Sequence, residues 1–428
     1  MPESFLDTID LGSLADRVGT PFYVYSADVL RRRIADINAT MHGEHLQPRY
    51  AMKACSSRPI LQEMRAAGLW IDAVSGNEVL RAQRAGFAAG VEPPVVVLTA
   101  DVFRDNALAV VMDGKALPNI GSPAMIAELA HAGYRGPVGV RLNPGFGHGH
   151  VRECDTGGPS SKHGIWHAGL APVATAAREA GFPVTLLHAH IGSGPSIDEF
   201  SANMAKLGAF FAERIAEFPE VSAVNFGGGI PHPYRPDQPA IDLAPVARAL
   251  GDAQQQLSRA AGRPIRVEIE PGRYLVAPAG ALVARVSDVK RTEENDKGPG
   301  HTFVMVDAGF TDLVRPAMYG SYHHITVHGA GTERVTEPVV VAGPLCESGD
   351  VFTRDAREFL DPRPLPQPRA GDLLVFHDAG AYGASMSSNY NSLGRAPQVW
   401  LDGGGARLVT RRETLDDVVR VECDEALD

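Results

Sequence analysis

Short apolar runs alternate with amphipathic segments between about residue 25 and residue 275. Eight of these runs have the length and composition of β-strands: RYAMK (49–53), LWIDAV (69–74), VVVLTA (95–100), ALPNIG (116–121), VGVRLN (138–143), TLLHAHIGS (185–193), AVNFGGG (223–229) and RVEIEPG (266–272). The intervening segments, such as RPILQEMRAAG, place apolar residues at helical spacing and end on glycine. Because strands that alternate with helices are normally parallel, the pattern predicts a (β/α)8 TIM-like barrel. An open doubly wound sheet is the structural alternative.

The pattern changes after residue 275. The runs GALVARVSDVKRT, HTFVMVDAGF, PVVVAGPLC and GDLLVFHDAGAY are rich in β-formers, and Gly, Pro and Asp separate them. We therefore predict a barrel over residues 25–274 and a C-terminal, mainly antiparallel β domain over residues 275–428. The proline-rich stretch LDPRPLPQPRAGD (360–372) is predicted to be a surface loop within that domain.

Composition narrows the functional classes. The 428 residues include 51 acidic and 40 basic side chains, so the formal net charge of -11 argues against binding to nucleic acid or to anionic membranes. No apolar run is long enough to span a membrane, and the acidic start MPESFLDTID does not resemble a signal peptide, so we expect a cytoplasmic protein. The histidines of GFGHGH and KHGIWH match no zinc signature, and no disulfide framework is indicated by the four scattered cysteines Cys55, Cys154, Cys346 and Cys423.

Candidate chemistry gathers at the predicted strand ends, where a barrel of this kind places its active site. Lys53 ends the first strand, His190 lies in the sixth, the glycines 227–229 follow the seventh and Glu270 follows the eighth. Loops after the last two strands commonly bind phosphate, and glycines let backbone N–H groups approach it. A lysine amine beside a phosphate site suggests pyridoxal 5'-phosphate (PLP), with Glu270 holding the proton of the ring nitrogen. Taken singly, each feature also has an ordinary explanation: a solvated lysine, a buried histidine and a tight glycine turn.

One turn-like segment of the β domain, GPLCESGD (343–350), carries a second candidate pair. Cys346 and Glu347 are an adjacent thiol and carboxylate, which suits an active site. A buried structural cysteine is the alternative interpretation.

These motifs together resemble the PLP-dependent group IV decarboxylases, most closely the diaminopimelate decarboxylase family. The resemblance runs through YAMKAC, RLNPGFGHGH, HAHIGSG, EPGRYLVA, VDAGFTDLVRPAMYGSYHHI, AGPLCESGDVFT and GAYGASMSSNYN, so it covers nearly the whole chain. It implies an alanine-racemase-like barrel followed by a β domain, into which residues 1–24 pack. It also implies decarboxylation of meso-2,6-diaminopimelate to L-lysine and CO2, the last step of lysine biosynthesis.

The resemblance further implies a role for each matching residue. Lys53 resembles the lysine that binds PLP as a Schiff base, His190 the histidine stacked on its ring, and Glu270 the partner of the ring nitrogen. The residues that resemble a phosphate cradle are Ser193, Gly227, Gly228, Gly229 and Tyr382. Those that resemble substrate-binding groups are Arg273, Arg315, Tyr319, Tyr382 and Glu347. Cys346 and Glu347 resemble a catalytic pair that a second subunit inserts, which implies a homodimer with shared active sites.

The chain departs from the family pattern at one place. The family continues with Arg-Pro after the SSNYN motif, whereas this chain has Leu393-Gly394, followed by Arg395. The departure leaves open a sister decarboxylase that acts on ornithine, lysine or a D-amino acid. A non-catalytic PLP carrier and a racemase are further alternatives, although a carrier would lack the β domain and a racemase would have arginine in place of Glu270.

Overall fold

The computed structural model describes residues 5–7, 9–147, 156–192, 196–331, 333–425 and 427. The chain divides into two compact units. The barrel unit comprises Arg31–His232 and Ala240–Leu275, and the β unit comprises Met1–Leu30, Pro233–Pro239 and Val276–Asp428. Within the described ranges, no helix is both long enough and apolar enough to cross a membrane.

The β unit begins with helix α1 (Leu11–Val18) and strand β1 (Phe22–Ser26). Asp10 caps α1 by accepting a hydrogen bond from the Ser13 backbone N–H at 2.9 Å, and the apolar face of the helix is buried. This early segment therefore belongs to the core of the β unit rather than to the barrel unit.

The barrel unit contains a closed, parallel sheet, which confirms the predicted barrel. Its strands are β2 (Leu46–Ala51), β3 (Trp70–Ala73), β4 (Val96–Ala100), β5 (Leu117–Ile120), β6 (Val138–Asn143), β8 (Val184–His188), β9 (Ala223–Asn225) and β10 (Arg266–Ile269), with the short β7 (Ile165–Trp166) paired to β6. The order is β5-β4-β3-β2-β10-β9-β8-β6, and pairing of β5 with β6 closes the barrel. Nearly every strand residue is buried, as expected when parallel strands are covered on both faces.

Helices precede, connect and follow the barrel strands. They are α2 (Ala27–Met41), α3 (Arg58–Ala66), α4 (Gly76–Arg84), α5 (Ala107–Met112), α6 (Pro123–His131), α7 (Leu170–Glu179), α8 (Ile197–Ala212), α9 (Ala244–Ala261) and the short α10 (Arg273–Val276). Helix α4 begins at a serine cap: the Ser75 side chain accepts a hydrogen bond from the Glu78 N–H at 3.2 Å. Helix α9 ends at Gly262, which takes the left-handed conformation at φ 67°.

The β unit contains the predicted, mainly antiparallel sheet. Its remaining elements are β11 (Gly280–Arg291), β12 (Thr302–Val306), α11 (Arg315–Tyr319), β13 (Ile325–Val327), β14 (Thr336–Ala342), β15 (Arg363–Pro366), β16 (Leu373–Phe376), β17 (Gln398–Asp402), β18 (Gly405–Thr410) and α12 (Leu415–Val418). Two pairings, β1 with β17 and β12 with β14, are parallel. Side chains of α1, β1, β11, β16 and β17 form one apolar core.

The structure corrects two strand boundaries and adds one strand. Strand β2 ends at Ala51, and Lys53 lies in a single 3-10 turn, because the Tyr50 hydroxyl bonds both backbone groups of Cys55 and bends the chain. Strand β8 ends at His188, so His190 lies in the following loop. The predicted loop 360–372 contains β15, an edge strand, where a proline removes no ladder hydrogen bond that the sheet needs.

Candidate active site

The carboxyl ends of the barrel strands bring six predicted residues to one edge of the barrel unit. Lys53 follows β2, His190 follows β8, the glycines 227–229 follow β9 and Glu270 follows β10. This edge is where parallel barrels carry their chemistry. Among the described residues, no group of three or more His, Cys, Asp or Glu side chains is arranged to hold a metal ion.

Glu270 is a buried carboxylate with two polar neighbours. Its Oε1 accepts a hydrogen bond from Asn225 Nδ2 at 2.7 Å, and its Oε2 lies 3.5 Å from His188 Nε2. Burial acts to raise the Glu270 pKa, but His188 and the positive charge of Lys53 outweigh it and lower this pKa to about 2. Glu270 is therefore ionised and can accept a hydrogen bond from a protonated ring nitrogen.

The three glycines form a concave backbone surface that only glycine can make. Gly227 and Gly229 have φ values of 68° and 118°, and a Cβ on Gly229 would lie 2.3 Å from the Gly192 carbonyl oxygen. A Cβ on Gly227 would lie 2.7 Å from His190 Cβ. The loop thus presents backbone without side chains, which fits a bound phosphate group. Ser193, the predicted hydroxyl partner of this phosphate, lies outside the described residues.

His190 is fixed beside these glycines. Its Nδ1 accepts a hydrogen bond from the Gly228 N–H at 3.2 Å, and its carbonyl accepts one from the Thr156 hydroxyl at 2.9 Å. Burial, together with the charges of Lys53 and Arg141, holds the His190 pKa well below its usual value. The ring is therefore neutral and held in one orientation, as stacking on a planar cofactor requires.

Lys53 is exposed to solvent, but its positive charge also acts on buried titratable groups. Burial is the main influence on the pKa values of Asp72, Glu78, His190 and Glu270, and the charge of Lys53 acts on all four as well. Lys53 consequently lies among the buried titratable groups of the barrel edge. This surrounding distinguishes it from an ordinary surface lysine.

Asp72 is a functional candidate that we did not predict. It is buried at the end of β3, where burial and then the negative charge of Glu270 raise its pKa to about 8. Thr99 Oγ1 donates a hydrogen bond to Asp72 Oδ1 at 2.6 Å. The available signal was a carboxylate inside the apolar run LWIDAV, but a single polar residue in such a run does not reveal its partners.

Arg273 begins α10 and is half-buried in its surroundings. It follows Glu270 by three residues, so the same strand end that positions the carboxylate also positions this guanidinium. Arg273 is thus the one predicted substrate-binding residue that the barrel unit contributes.

The β unit carries the other predicted substrate-binding residues. Arg315 begins α11 and is buried, with Nη1 3.0 Å from His323 Nε2 and its guanidinium 4.9 Å from the centre of the Tyr234 ring. Tyr319 ends the same short helix and is half-buried. Tyr382 is also half-buried and has φ 58°, an uncommon conformation for a tyrosine. Strained backbone of this kind concentrates at functional sites.

Cys346 and Glu347 lie in an exposed turn of the β unit. The interpretation of Cys346 as a buried structural cysteine is therefore wrong. Asp350 organises the turn by accepting hydrogen bonds from the backbone N–H groups of Leu345 and Phe310, at 2.9 and 2.7 Å. The thiol and the carboxylate are thus presented to solvent on a turn whose backbone is held by Asp350.

The segment that departs from the family pattern has its own anchor. Arg395 Nη1 lies 3.1 Å from Glu413 Oε1, and the Arg395 N–H donates to Glu413 Oε2 at 3.0 Å. A Cβ on Gly394 would lie 2.2 Å from the Glu413 carbonyl oxygen. Glycine at 394 and arginine at 395 therefore have a structural explanation in packing against Glu413.

The barrel, the lysine at its mouth, the glycine cradle and the buried carboxylate define a PLP-dependent enzyme. The family model described as "pyridoxal-dependent decarboxylase, pyridoxal binding domain" matches residues 27–277. Diaminopimelate decarboxylase of Escherichia coli (strain K12) is 41% identical over 433 aligned residues, covering 99% of this chain and 100% of that protein. The chain belongs to the diaminopimelate decarboxylase family.

Solved structures agree with this membership. A crystal structure of diaminopimelate decarboxylase is 40% identical, covers 98% of this chain and 99% of its own, and superposes with a TM-score of 0.89. The diaminopimelate decarboxylase from Helicobacter pylori, complexed with L-lysine, is 27% identical with a TM-score of 0.82, covering 96% of this chain and 99% of that one. The protein is accordingly a PLP-dependent carboxy-lyase.

Proposed function

We propose that the protein decarboxylates meso-2,6-diaminopimelate to L-lysine and CO2. The observation that carries the proposal is Glu270, a buried carboxylate whose pKa is lowered to about 2 by His188 and Lys53 against the effect of burial. An ionised partner keeps the cofactor ring nitrogen protonated, which favours loss of a carboxylate. A racemase is disfavoured for the same reason, because its ring nitrogen faces an arginine.

The residues of the barrel unit then have separate tasks. Lys53 binds the cofactor through Nζ, the concave glycine loop 227–229 leaves room for its phosphate beside Ser193, and neutral His190 supports the ring face. When bound, PLP supplies the electron sink for the electrons left by the departing carboxylate. Lys53 and Cys346 are the two groups that we propose for returning a proton to the substrate carbon.

Substrate selection is assigned to Arg273, Arg315, Tyr319, Tyr382 and Glu347. Arg315 is 3% exposed, and a buried guanidinium favours a carboxylate ligand strongly. A substrate without the distal carboxylate would leave such a group poorly paired, so ornithine and lysine should be poor substrates. The carboxylate of Glu347 suits the substrate amine.

We further propose a cytoplasmic homodimer in which each subunit completes the site of the other. Cys346 and Glu347 are exposed within their own β unit, as residues that act in a partner's site would be.

The test is an assay of CO2 and L-lysine release from meso-diaminopimelate by the purified, PLP-loaded protein. We expect turnover in the wild type and a loss of roughly 1,000-fold or more in Lys53→Ala, because the cofactor loses its attachment. Lys115→Ala is the matched control, since that lysine pairs with Asp113 on the surface and should leave turnover unchanged. Release of CO2 from ornithine or lysine, but not from diaminopimelate, would instead support a sister decarboxylase.

A further inference from the structure

A chain of buried polar side chains crosses the barrel behind Glu270. Asp72 accepts from Thr99 Oγ1 at 2.6 Å, Asn119 Nδ2 lies 3.2 Å from Thr99 Oγ1 and 2.9 Å from His188 Nδ1, and His188 Nε2 lies 3.5 Å from Glu270 Oε2. We call these five residues the polar relay. They come from β3, β4, β5, β8 and the end of β10, and none is more than 5% exposed.

The hydrogen bonds around Asn119 have one consistent assignment of donors and acceptors. The Thr99 hydroxyl gives its only hydrogen to Asp72, so its oxygen can only accept from Asn119. The amide nitrogen of Asn119 therefore faces both Thr99 and His188, and its second hydrogen goes to His188 Nδ1. Asn119 Oδ1 has no hydrogen-bond partner within the described part of the chain, which agrees with this orientation.

This direction determines which nitrogen of His188 carries a hydrogen. Burial, opposed by Glu270, lowers the pKa of His188, so the ring is neutral. A neutral imidazole that accepts at Nδ1 must carry its hydrogen on Nε2. Nε2 lies 3.5 Å from Glu270 Oε2, an electrostatic contact that falls short of hydrogen-bond geometry, while Asn225 donates to Oε1. In the opposite tautomer, a lone pair would face the carboxylate and favour a protonated Glu270.

We propose that Asn119 is a positioning residue that fixes His188 as its Nε2–H tautomer and thereby keeps Glu270 ionised for the cofactor ring nitrogen. The inference rests on the role proposed above for Glu270. Asn119 acts at a distance, because β5 pairs with β4 and β6 and not with β10. Removing the amide therefore changes the electrostatics of Glu270 without removing any contact to the cofactor.

The first experiment observes the tautomer directly in the cofactor-free protein. Nitrogen-15 NMR of histidine-labelled protein, with His188 assigned through His188→Gln, reports which ring nitrogen is protonated. We expect a hydrogen on Nε2 and none on Nδ1 in the wild type. In Asn119→Asp, which preserves the side-chain shape, the carboxylate should draw a hydrogen to Nδ1. A protonated Nδ1 in the wild type would overturn the proposal.

The second experiment compares two ligands by their dissociation constants: PLP and its analogue with CH in place of the ring nitrogen. Asn119→Ala should weaken binding of PLP roughly 10-fold, the worth of about one charge-assisted hydrogen bond, and leave binding of the analogue within about twofold. Asn38→Ala is the matched control: this asparagine also donates one amide hydrogen bond, to the Ala67 carbonyl, and its Oδ1 has no partner among the described residues. It should change neither constant.

Glu270→Gln separates this inference from the function on which it rests. Suppose that Glu270→Gln weakens binding of PLP more than binding of the analogue, but Asn119→Ala weakens binding of both equally. Asn119 is then only structural and the positioning role is overturned. If Glu270→Gln fails to discriminate, the assignment of Glu270 to the ring nitrogen falls, and the role of Asn119 falls with it. Discrimination by both variants supports the proposal.

Discussion

Two buried carboxyl groups on the same barrel edge are driven to opposite protonation states by their neighbours. At Asp72, burial and the negative charge of Glu270 both raise the pKa. At Glu270, burial also acts to raise the pKa, but His188 and Lys53 outweigh it and lower the value. Such divergence between neighbouring groups is a mark of sites that handle protons. It makes Asp72 a carboxyl group that keeps its proton on Oδ2, because Oδ1 accepts from Thr99, and it makes Glu270 a permanent charge.

The raised pKa of Asp72 predicts a pH dependence of stability in the cofactor-free protein. Between the ordinary value of 3.8 and the folded value of about 8, the folded state holds a proton that the unfolded chain has released. This stabilisation is complete below the ordinary value and is lost as the pH rises towards the folded value, at about 1.4 kcal/mol per pH unit. Asn at this position is neutral in both states. The melting temperature of Asp72→Asn should therefore fall less steeply with rising pH than that of the wild type.

The control for this measurement is Asp252→Asn, which removes an exposed carboxylate from α9. It should show the same pH slope of melting temperature as the wild type. Equal slopes in the wild type and Asp72→Asn would mean that Asp72 is already ionised in the folded protein.

The sequence predicted the placement of single residues where they follow a recognisable strand. Lys53, His190 and Glu270 each follow a barrel strand and could be selected because all strand ends share one edge. Asp72 and Asn119 could not, since their significance depends on how neighbouring strands are aligned around the closed barrel. The predicted barrel makes β3, β4 and β5 neighbours, but the sequence does not reveal the strand register that brings Asp72, Thr99 and Asn119 into one hydrogen-bonded row.

At the scale of elements, hydrophobic pattern identified the strands better than it located their ends. Strand β2 begins at Leu46, before the run predicted to start at residue 49, because the buried residue Gln47 is polar and carries no apolar signal. Arg49 is 0% exposed and reads as a surface residue in the sequence. Its burial depends on Glu268 of β10, more than two hundred residues later, so no local pattern could have revealed it.

The junction of β2 with β10 therefore depends on a buried ion pair. Arg49 donates to both Glu268 oxygens at 2.6 and 3.0 Å and also to the carbonyls of Val95 and Pro94. Glu268→Gln would leave this guanidinium buried without its counter-charge and should destabilise the barrel by about 3–5 kcal/mol. Hydrogen exchange of the β2 and β10 amides under native conditions measures the loss.

The matched control is Glu63→Gln, which breaks a bidentate pair with Arg31 in the same unit. There the arginine side chain is 44% exposed, so the cost should be below about 1 kcal/mol. If the two variants changed exchange protection equally, burial of the Arg49–Glu268 pair would have no special role in closing the barrel.

At the scale of the whole molecule, the predicted site is divided between two units with separate cores. The barrel unit holds Lys53, His190 and Glu270, while the β unit holds Arg315 and the exposed Cys346 turn. The order of the two folds along the chain was predictable, because a switch from helical to β-rich patterning marks the change. The hydrophobic pattern did not predict the contribution that we propose for a second copy of the β unit, since a pattern within one chain contains no information about a partner.

Mixing of variants tests the proposal that the sites are shared between subunits. Lys53→Ala and Cys346→Ala subunits, each nearly inactive alone, are dissociated together and reassociated. In a dimer with shared sites, every mixed dimer has one site with both residues intact, so an equal mixture should recover roughly one quarter of wild-type turnover. If each site uses the lysine and the cysteine of one chain, no intact site forms and no recovery occurs.

A second mixture checks the same arrangement from the opposite direction. Subunits that carry both substitutions are reassociated with an equal amount of wild type. When sites are shared, each mixed dimer has a substitution in both of its sites, and turnover falls to roughly one quarter of the wild-type level. When sites are not shared, every wild-type chain keeps its own site and about one half of the turnover remains. Shared sites give more turnover than unshared sites in the first mixture and less in the second. A general loss of activity on reassociation would lower both mixtures and so cannot be mistaken for either arrangement.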